Sequence, residues 1–549
     1  MSAQASSKHA FTRRDLLKIG GGALAAAAVG PQIRRGVAQA QTPKRGGAFR
    51  FRGYTPPHFD PHLTASYTTM INLSFTHSRL IKHKTGPAVK PGTFEFEGDL
   101  AESWSQPNET TYTFKLRKGV RWHNKPPVNG RELTADDVKY TWDRFMTIPG
   151  NANRHMMATV DKVEVLDRST VKFTLKEPLA WFLDFVGTPM ALCIIAKEAV
   201  EQFKDLKKPE AVIGTGPWML EGHEPKVRTT FVRNPNYFIP GLPYIERVEA
   251  IDFDDPSARL AAFVTGQIDA GGEFPGMMIR RQDWKIVKDK RPNLRYVEFP
   301  ANVMVHTGMR TDKPPFNDIR VRKALSMALD RKAILDATQE GVGVMNPPIP
   351  AALPSWAIPF NQLGEGAKYY EYNPTEAKRL LAEAGHPNGF STSLDYATYG
   401  SQEIIDAVQM SVKMWKDIGV DVKVNEKPYG AYFATSYVGK QDGLVQGPQF
   451  PALDPYNFLG QYLPGEPKNQ SHVNDPVLTD MILTSNKIFD EKKRRQQLYE
   501  IQKYIAKQVY YIRGYSAVYI AALDPALQNF GPNLGYDYGG RLMAAWWNK

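Results

Sequence analysis

The sequence predicts an α/β protein of two or three lobes. At 549 residues the chain is longer than one hydrophobic core ordinarily supports. Helical and strand patterns alternate along it, which favours α/β lobes over an all-α or all-β fold. The stretch 213–238 interrupts this order with a hairpin between two turns. We interpret it as the point where a long excursion of the chain returns to the first lobe.

Composition and charge are those of a globular protein, with 42% hydrophobic and 23% charged residues. The formal net charge is +12, and part of the excess lies in the first forty residues. No block of Lys and Arg with interleaved aromatic residues occurs, so we expect no nucleic-acid partner. The single cysteine, Cys193, lies in an apolar run and is expected to be a buried thiol.

Residues 1–40 have the pattern of a twin-arginine-type signal peptide. Arg13 and Arg14 precede an apolar stretch at 19–29, and small residues ending at Ala40 follow. The apolar stretch is shorter than the roughly 20 residues that span a bilayer. No cysteine lies near the cleavage site, so a lipoprotein anchor is not expected. The mature chain is predicted to be periplasmic or secreted; the alternative for this segment is a frayed amphipathic helix.

The hairpin begins at a Gly-Thr-Gly-Pro turn. We expect glycine at Gly214 and Gly216 because glycine accepts positive φ at little cost. An apolar run at 218–220, a polar break at 221–226 and an alternating run at 227–232 predict strand, loop and strand.

Other elements follow from local periodicity and caps. Alternating apolar residues predict strands at 44–52, 111–116, 161–165, 169–175, 245–253, 297–308 and 421–425. Thr134, Asp255 and Asn373 are predicted to cap helices, and three helices are predicted to end at Gly266, Gly385 and Gly419. The predicted helices are 68–81, 138–146, 258–265, 319–328, 330–338, 376–384, 403–418 and 490–508.

Eight motifs, in order along the chain, resemble those of the family 5 solute-binding proteins of ABC importers, the dipeptide, oligopeptide and nickel-binding class. The motifs cover nearly all of the chain beyond residue 44. They lie at 99–104 (DLAESW), 112–122 (YTFKLRKGVRW), 133–142 (LTADDVKYTW), 214–217 (GTGP), 233–237 (RNPNY), 265–269 (TGQID), 321–334 (VRKALSMALDRKAI) and 372–385.

The resemblance implies a two-lobed periplasmic-binding-protein-like fold of the class II type, with an extra α+β domain in the first lobe. The first-lobe domain would comprise residues 41–77, 207–302 and 517–549. The extra domain would comprise residues 78–206, and the second lobe residues 303–516. In such proteins the ligand is enclosed between the lobes.

The sequence contains none of the motifs that would indicate an enzyme. It has no Gly-x-Ser-x-Gly elbow, no His-Glu-x-x-His zinc helix and no phosphate-binding loop. His58 and His62 could form a metal patch, but Pro57 and Pro61 break the helix that would align them, and the resemblance makes this segment a scaffold motif. We therefore expect no catalytic residue, no metal and no cofactor.

The resemblance also locates the binding loop, at 442–462. In peptide-binding members an Asp holds the ligand's α-amino group, and counting back from Asp454 that position falls on Pro451. The Trp that precedes it in the family falls on Pro448. Proline offers neither charge nor N–H, so this departure puts ordinary recognition of a peptide amine in doubt.

The candidate substrate-binding residues, chosen for amide, carboxylate or aromatic side chains beside the expected cleft, are Tyr54, Ser66, Tyr67, Gln449, Phe450 and Asp454. Asp454 could replace the missing Asp or could serve a structural turn, and each aromatic residue could instead pack in the core. Weaker candidates are Tyr429, Tyr432 and Tyr456.

We therefore expect a monomeric periplasmic substrate-binding protein that captures a small solute and delivers it to an ABC permease in the inner membrane. Peptide is the family default, while opine, sugar and metal–chelate ligands fit the altered loop equally well. The alternatives are a secreted hydrolase or peptidase, which would turn over its ligand, and a periplasmic chaperone or sensor module, which would engage a receptor instead of a permease.

Overall fold

A computed structural model of the chain describes residues 42–549 apart from 65, 152, 254, 272–280, 399–400 and 450–451. The predicted signal peptide and the predicted site residue Phe450 lie outside the described residues. Residues 43–549 form one compact unit. Within the described ranges, no helix combines the length and the apolar character that crossing a membrane requires.

The strands of the first part of the chain are β1 (Ala48–Gly53), β2 (Ile81–His83), β3 (Phe96–Gly98), β4 (Ala101–Asn108), β5 (Thr111–Leu116), β6 (Val160–Asp167), β7 (Thr170–Leu175), β8 (Trp218–Glu224), β9 (Arg228–Arg233), β10 (Arg247–Asp252) and β11 (Ala270–Gly271). Those that follow are β12 (Arg295–Met309), β13 (Gly343–Met345), β14 (Phe390–Tyr396), β15 (Val420–Glu426), β16 (Leu444–Pro448), β17 (Tyr511–Leu523), β18 (Leu527–Gln528) and β19 (Trp546–Trp547).

The helices up to residue 339 are α1 (Tyr67–Ser74), α2 (Ala135–Thr147), α3 (Phe182–Gly187), α4 (Lys197–Phe203), α5 (Pro256–Val264), α6 (Trp284–Lys290), α7 (Ile319–Met327) and α8 (Arg331–Gln339). The later helices are α9 (Pro374–Glu383), α10 (Gln402–Lys416), α11 (Tyr429–Ala434), α12 (Pro455–Gly460), α13 (Pro476–Ser485), α14 (Glu491–Gln508) and α15 (Tyr538–Leu542).

One large sheet organises the molecule, in the order β15-β14-β16-β12-β17-β11-β1-β10-β9-β8, with β13 paired to β17. Strands β1, β8, β9, β10 and β11 form its first half, and strands β14, β15 and β16 form its second half. Separate apolar clusters pack on the two halves: Phe49, Phe51 and Trp218 belong to one, and Leu325, Leu394 and Trp415 to the other. The predicted α/β class is confirmed.

Two long antiparallel strands, β12 and β17, join the halves of the sheet. Their pairing is regular up to Pro300, then shifts in register between Pro300 and Met304 and again before His306. A register shift of this kind bends and twists a strand pair. The predicted domain boundaries at 302/303 and 516/517 fall in these two strands; the division into domains stays a prediction.

A four-stranded antiparallel sheet, β4-β5-β7-β6, forms a separate layer within residues 101–175. Helix α2 begins with the predicted cap, since the Thr134 and Asp137 side chains each accept from the other's backbone in a capping box. The strands at 111–116 and 169–175 are confirmed, the second beginning one residue later than predicted.

The predicted hairpin at 218–232 is confirmed as β8 and β9, but the reason given for its glycines was wrong. Neither Gly214 nor Gly216 has positive φ. Both are required because the Thr76 backbone passes against them: a Cβ on Gly216 would lie 2.6 Å from the Thr76 carbonyl carbon. The His123 ring fixes the same turn, since Nδ1 accepts from Gly214 N–H and Nε2 lies 3.2 Å from Gly216 O.

The predicted helix at 68–81 is too long, because α1 ends at Ser74 and Ile81 begins β2. The backbone of Phe75 and Thr76 instead accepts from the N–H groups of Trp218 and Gly216, at 3.0 and 2.9 Å. This pairing with a distant segment satisfies carbonyls that a longer helix would have used, so tertiary contacts override local propensity.

Candidate functional site

A cavity of about 1990 Å³ lies between the two halves of the large sheet. From the first half it is lined by the segment between β1 and α1 and by α5, and from the joining strands it is lined by residues of β17 between Ile512 and Tyr519. From the second half it is lined by α8, α10, α11 and the segment between β16 and α12. Its volume exceeds the 300–1,000 Å³ typical of sites for small molecules, so it is large enough for an extended or ring-shaped solute.

Four of the six predicted binding residues line this cavity: Tyr54, Ser66, Tyr67 and Gln449. Phe450 lies outside the described residues. Among the weaker candidates, Tyr429 and Tyr456 also line the cavity. Tyr432 is buried instead in a small apolar cluster with Ala397, Tyr437 and Val445.

Asp454 is not among the lining residues and acts as the N-cap of α12. Its Oδ1 accepts from the Asn457 backbone N–H at 2.9 Å, and its Oδ2 accepts from the Asn457 side-chain amide at 2.9 Å. The side chain is buried, and this burial raises the pKa of its carboxyl above the ordinary value. Both carboxylate oxygens are thus committed to the helix start.

We expect Asp454→Ala to lower the free energy of unfolding by about 1 kcal/mol, the usual cost of losing an N-cap. Asp454→Asn should lose less, because Asn caps nearly as well as Asp. If the charge of Asp454 held a solute, Asp454→Asn would instead weaken solute binding while sparing stability. Urea unfolding and calorimetric titration on the same two variants distinguish these outcomes.

Three tyrosines that line the cavity, Tyr54, Tyr67 and Tyr536, form an aromatic wall. The Tyr54 and Tyr67 rings make an edge contact with centroids 5.6 Å apart, and Tyr67 stacks on Tyr536 at 5.9 Å. The Arg52 guanidinium lies 3.5 Å from the centre of the Tyr54 ring, a cation–π contact. The wall offers flat faces to an apolar or ring-shaped part of a solute.

Phenols from both halves of the sheet surround Tyr536. Burial raises the pKa of Tyr536 well above its ordinary value, and four neighbouring phenols add to the effect: Tyr67, Tyr519, Tyr437 and Tyr429. These hydroxyls are therefore neutral at physiological pH and can donate or accept hydrogen bonds inside the cavity.

A second group of polar side chains lies where β12 and β17 pair. Arg513 is the register partner of His306 and is 2% exposed. Its Nη1 donates to Gln449 Oε1 at 2.7 Å, and its Nη2 donates to the Tyr462 hydroxyl. Burial first, and then the charge of Arg513, lowers the pKa of His306 to about 3, so His306 is neutral.

The possible metal patch at His58 and His62 is occupied by an ion pair. Arg144 reaches Asp60 with Nη2–Oδ2 at 2.5 Å and lies 3.0 Å from His62 Nδ1. Burial first, then the Arg144 charge, lowers the pKa of His62 to about 3. Among the described residues, no group of three or more His, Cys, Asp or Glu side chains has an arrangement that could hold a metal ion.

Several residues that line the cavity are not indicated by local sequence patterns, chiefly Arg513, His306, Tyr519 and Tyr536. The first three lie on β12 and β17, and the pairing of these strands is not encoded in local periodicity. One signal was present: Arg513 interrupts an otherwise apolar and aromatic strand, and charged residues in such strands are seldom buried without a role.

A sequence model of the bacterial extracellular solute-binding proteins, family 5 middle, matches residues 95–470. The chain is 27% identical over 485 residues to heme-binding protein A of Haemophilus influenzae, covering 82% of this chain and 84% of that protein. It is 29% identical over 428 residues to the dipeptide-binding protein of Escherichia coli K12, covering 74% and 76%.

Among solved structures, the fold is similar to that of the ABC transporter-associated periplasmic binding protein DppA from Helicobacter pylori in complex with the peptide STSA. The TM-score is 0.78 at 24% sequence identity, covering 92% of this chain and 99% of the other. At this level of identity the likeness is one of fold, and it confirms the two-lobed periplasmic-binding-protein architecture expected from the motifs.

Proposed function

The chain belongs to family 5 of the bacterial extracellular solute-binding proteins, and from this premise we propose that it captures a small solute between two lobes and delivers it to an ABC importer. Peptides and peptide-like molecules are the default cargo, because the relatives include a dipeptide-binding protein and a peptide-bound structure. The relatives and the solved structure described above are binding proteins rather than enzymes.

The observation that supports this proposal most directly is the position of the cavity. Its walls come from both halves of the sheet, and β12 and β17 run between those halves. A solute that touches both walls favours the form in which the walls are close together. The register shift near Met304 supplies a place where the two long strands can bend.

Contacts outside the β12–β17 pair also join the predicted extra domain to the predicted second lobe. The Trp181 indole N–H, in the predicted extra domain, donates to Asn486 Oδ1 at 3.0 Å, and Ala180 N–H donates to Asn486 O at 2.7 Å. Phe185 packs edge-on against Tyr456 at 5.0 Å. We propose that these contacts belong to the closed form and break when the lobes separate.

We propose that Tyr54, Ser66, Tyr67, Gln449 and Phe450 contact the solute, the tyrosines through their ring faces and the others through polar groups or packing. For Asp454 we propose an indirect part, as the cap that holds α12 beside the cavity. The proposed mature chain begins after residue 40, leaves by the twin-arginine route, and works as a periplasmic monomer with a permease of the inner membrane.

Small-angle scattering tests the capture mechanism. The probe is the compound that stabilises the protein most in a thermal-shift screen of dipeptides, tetrapeptides, opines, sugars and metal chelates; at 100 times its dissociation constant a ligand stabilises by about 2.7 kcal/mol. We expect the radius of gyration to fall when that compound is added. Tight binding without contraction would contradict the hinge, and turnover of the compound would contradict a purely binding role.

A further inference from the structure

Arg513 carries a buried charge whose hydrogen-bond acceptors are neutral side chains. Arg144 pairs with a carboxylate, and so does Arg79. Arg331 donates to a set of backbone carbonyls: Ser326, Leu329, Tyr370 and Arg513. In the part of the chain that the structure describes, no carboxylate oxygen lies within 4.0 Å of an Arg513 nitrogen, and its acceptors are all neutral side chains.

The guanidinium also keeps unused donors. Of its five N–H groups, three are taken by Gln449 Oε1, the Tyr462 hydroxyl and the Met304 sulfur. Its Nε, which is buried, has no hydrogen-bond partner among the described residues. The Tyr462 and Tyr511 rings lie 5.8 and 5.5 Å from the guanidinium carbon and only partly compensate a charge withdrawn from water.

Gln449 and His306 beside Arg513 add a donor and an acceptor but no charge. The buried Arg331 guanidinium donates to the Arg513 backbone carbonyl at 2.7 Å and adds a second positive charge. Gln449 turns its amide oxygen to Arg513, and its amide nitrogen makes no hydrogen bond to a described residue. Gln470 Oε1 lies 3.0 Å from His306 Nε2, while Gln470 Nε2 donates to Tyr437 O; this orientation makes His306 Nε2 the protonated nitrogen. His306 Nδ1 is thus a buried acceptor without a described partner.

Acidic side chains on the cavity wall do not neutralise this group. Most are exposed or partly exposed: Asp255, Glu340, Glu403, Asp406, Glu426 and Glu466. Asp283, which is buried, lies at the start of α6 and is not a hydrogen-bond or ion-pair partner of Arg513 in the described part of the chain. The buried charge at the strand junction is therefore positive.

We propose that the solute carries a carboxylate and that this carboxylate binds at Arg513, assisted by the amide nitrogen of Gln449. The proposal rests on the proposed function and adds the chemical class of the cargo. A carboxylate matches the unused edge of a guanidinium in charge and in planar geometry. The solute's own N–H or O–H groups would satisfy His306 Nδ1.

Calorimetric titration with matched acid and amide pairs tests the assignment. The probes are Ser-Thr-Ser-Ala, Ala-Ala and N-acetylalanine, each as the free acid and as the carboxamide. We expect at least one acid to bind about 30-fold tighter than its amide, as for a buried charge pair that loses one partner. In Arg513→Gln this ratio should fall below about 3, since the matching charge is gone.

Tyr462→Phe is the matched control, because it removes a neutral acceptor of Arg513 and keeps the charge; the acid-to-amide ratio should persist in it. Thermal unfolding reports whether each variant folds, and the wild-type comparison remains decisive if Arg513→Gln does not. Amides that bind as tightly as acids would overturn the carboxylate assignment and leave solute capture standing. Failure of every acid and every amide to bind would also overturn the carboxylate assignment, whereas solute capture would be overturned only if no compound of the thermal-shift screen bound.

Discussion

Lowering the pH from 6.5 towards 4 is expected to unfold the protein, because burial holds five histidines in the neutral form. Burial is the largest cause of the lowered pKa in each case, to about 3 for His62, His123 and His306 and to about 4 for His77 and His83. The unfolded chain takes up these protons below about pH 6.5, while the folded chain does not until its own pKa is reached.

The sign and size of the effect follow from that difference in bound protons. The stability that the buried neutral histidines contribute is fully present above the pKa of histidine in the unfolded chain, and it is lost as the pH falls below that value. Each histidine costs about 1.4 kcal/mol per pH unit, so five together cost about 7 kcal/mol per unit while all of them remain neutral in the folded chain. Because domains are stable by only about 5–15 kcal/mol, unfolding is expected one to three units below pH 6.5.

Thermal unfolding between pH 7.5 and 4 measures this slope. Replacing one buried ring, as in His77→Gln, should reduce the proton uptake on unfolding by about one. His386→Gln, which replaces a partly exposed ring outside this buried set, is measured in parallel as the control. A flat profile down to pH 4.5 would show that the buried rings are not kept neutral.

Asp60→Asn is expected to lower the free energy of unfolding by about 3–5 kcal/mol, because it leaves Arg144 buried without its carboxylate. The Asp60 oxygens accept from Arg144 and from two backbone N–H groups, those of His62 at 3.0 Å and Leu206 at 3.1 Å. One carboxylate therefore holds together three segments: the loop after β1, helix α2 and the chain near residue 206.

Urea unfolding measures this loss, with Asp143→Asn as the control. Asp143 pairs with Lys139 on the exposed side of the same helix, and such pairs contribute below about 1 kcal/mol. Burial would raise the pKa of Asp60, but the hydrogen bonds and charge of Arg144 outweigh it and keep the pKa low. The stability that the ionised Asp60 contributes is lost only below about pH 4, where protonation of the histidines has already destabilised the fold.

Local sequence patterns predicted correctly whether most segments are helices or strands. Capping residues located the starts of α2, α5 and α9, and alternation located β5, β7 and β15. These signals act within a few residues of one another, so they survive in any tertiary context. The overlong helix at 68–81 failed because its end is set by hydrogen bonds to residues 216–218.

The site was predicted less completely, for the same physical reason. Tyr54, Ser66, Tyr67 and Gln449 came from the family resemblance, and all four line the cavity. Arg513 reaches the cavity only because β17 pairs with β12, which no local pattern encodes. The loop at 448–451 indicated that the cargo is not held by an acidic side chain there, and the structure adds a positive charge nearby.

The pairing of β12 with β17 also dictates an order of events during synthesis. The ribosome completes β12 at Met309, yet its central partner begins only at Tyr511. Until then β12 presents an uncovered strand edge, a surface prone to pairing with the wrong chain. A nascent chain arrested before Tyr511 is therefore expected to need a chaperone that shields this edge.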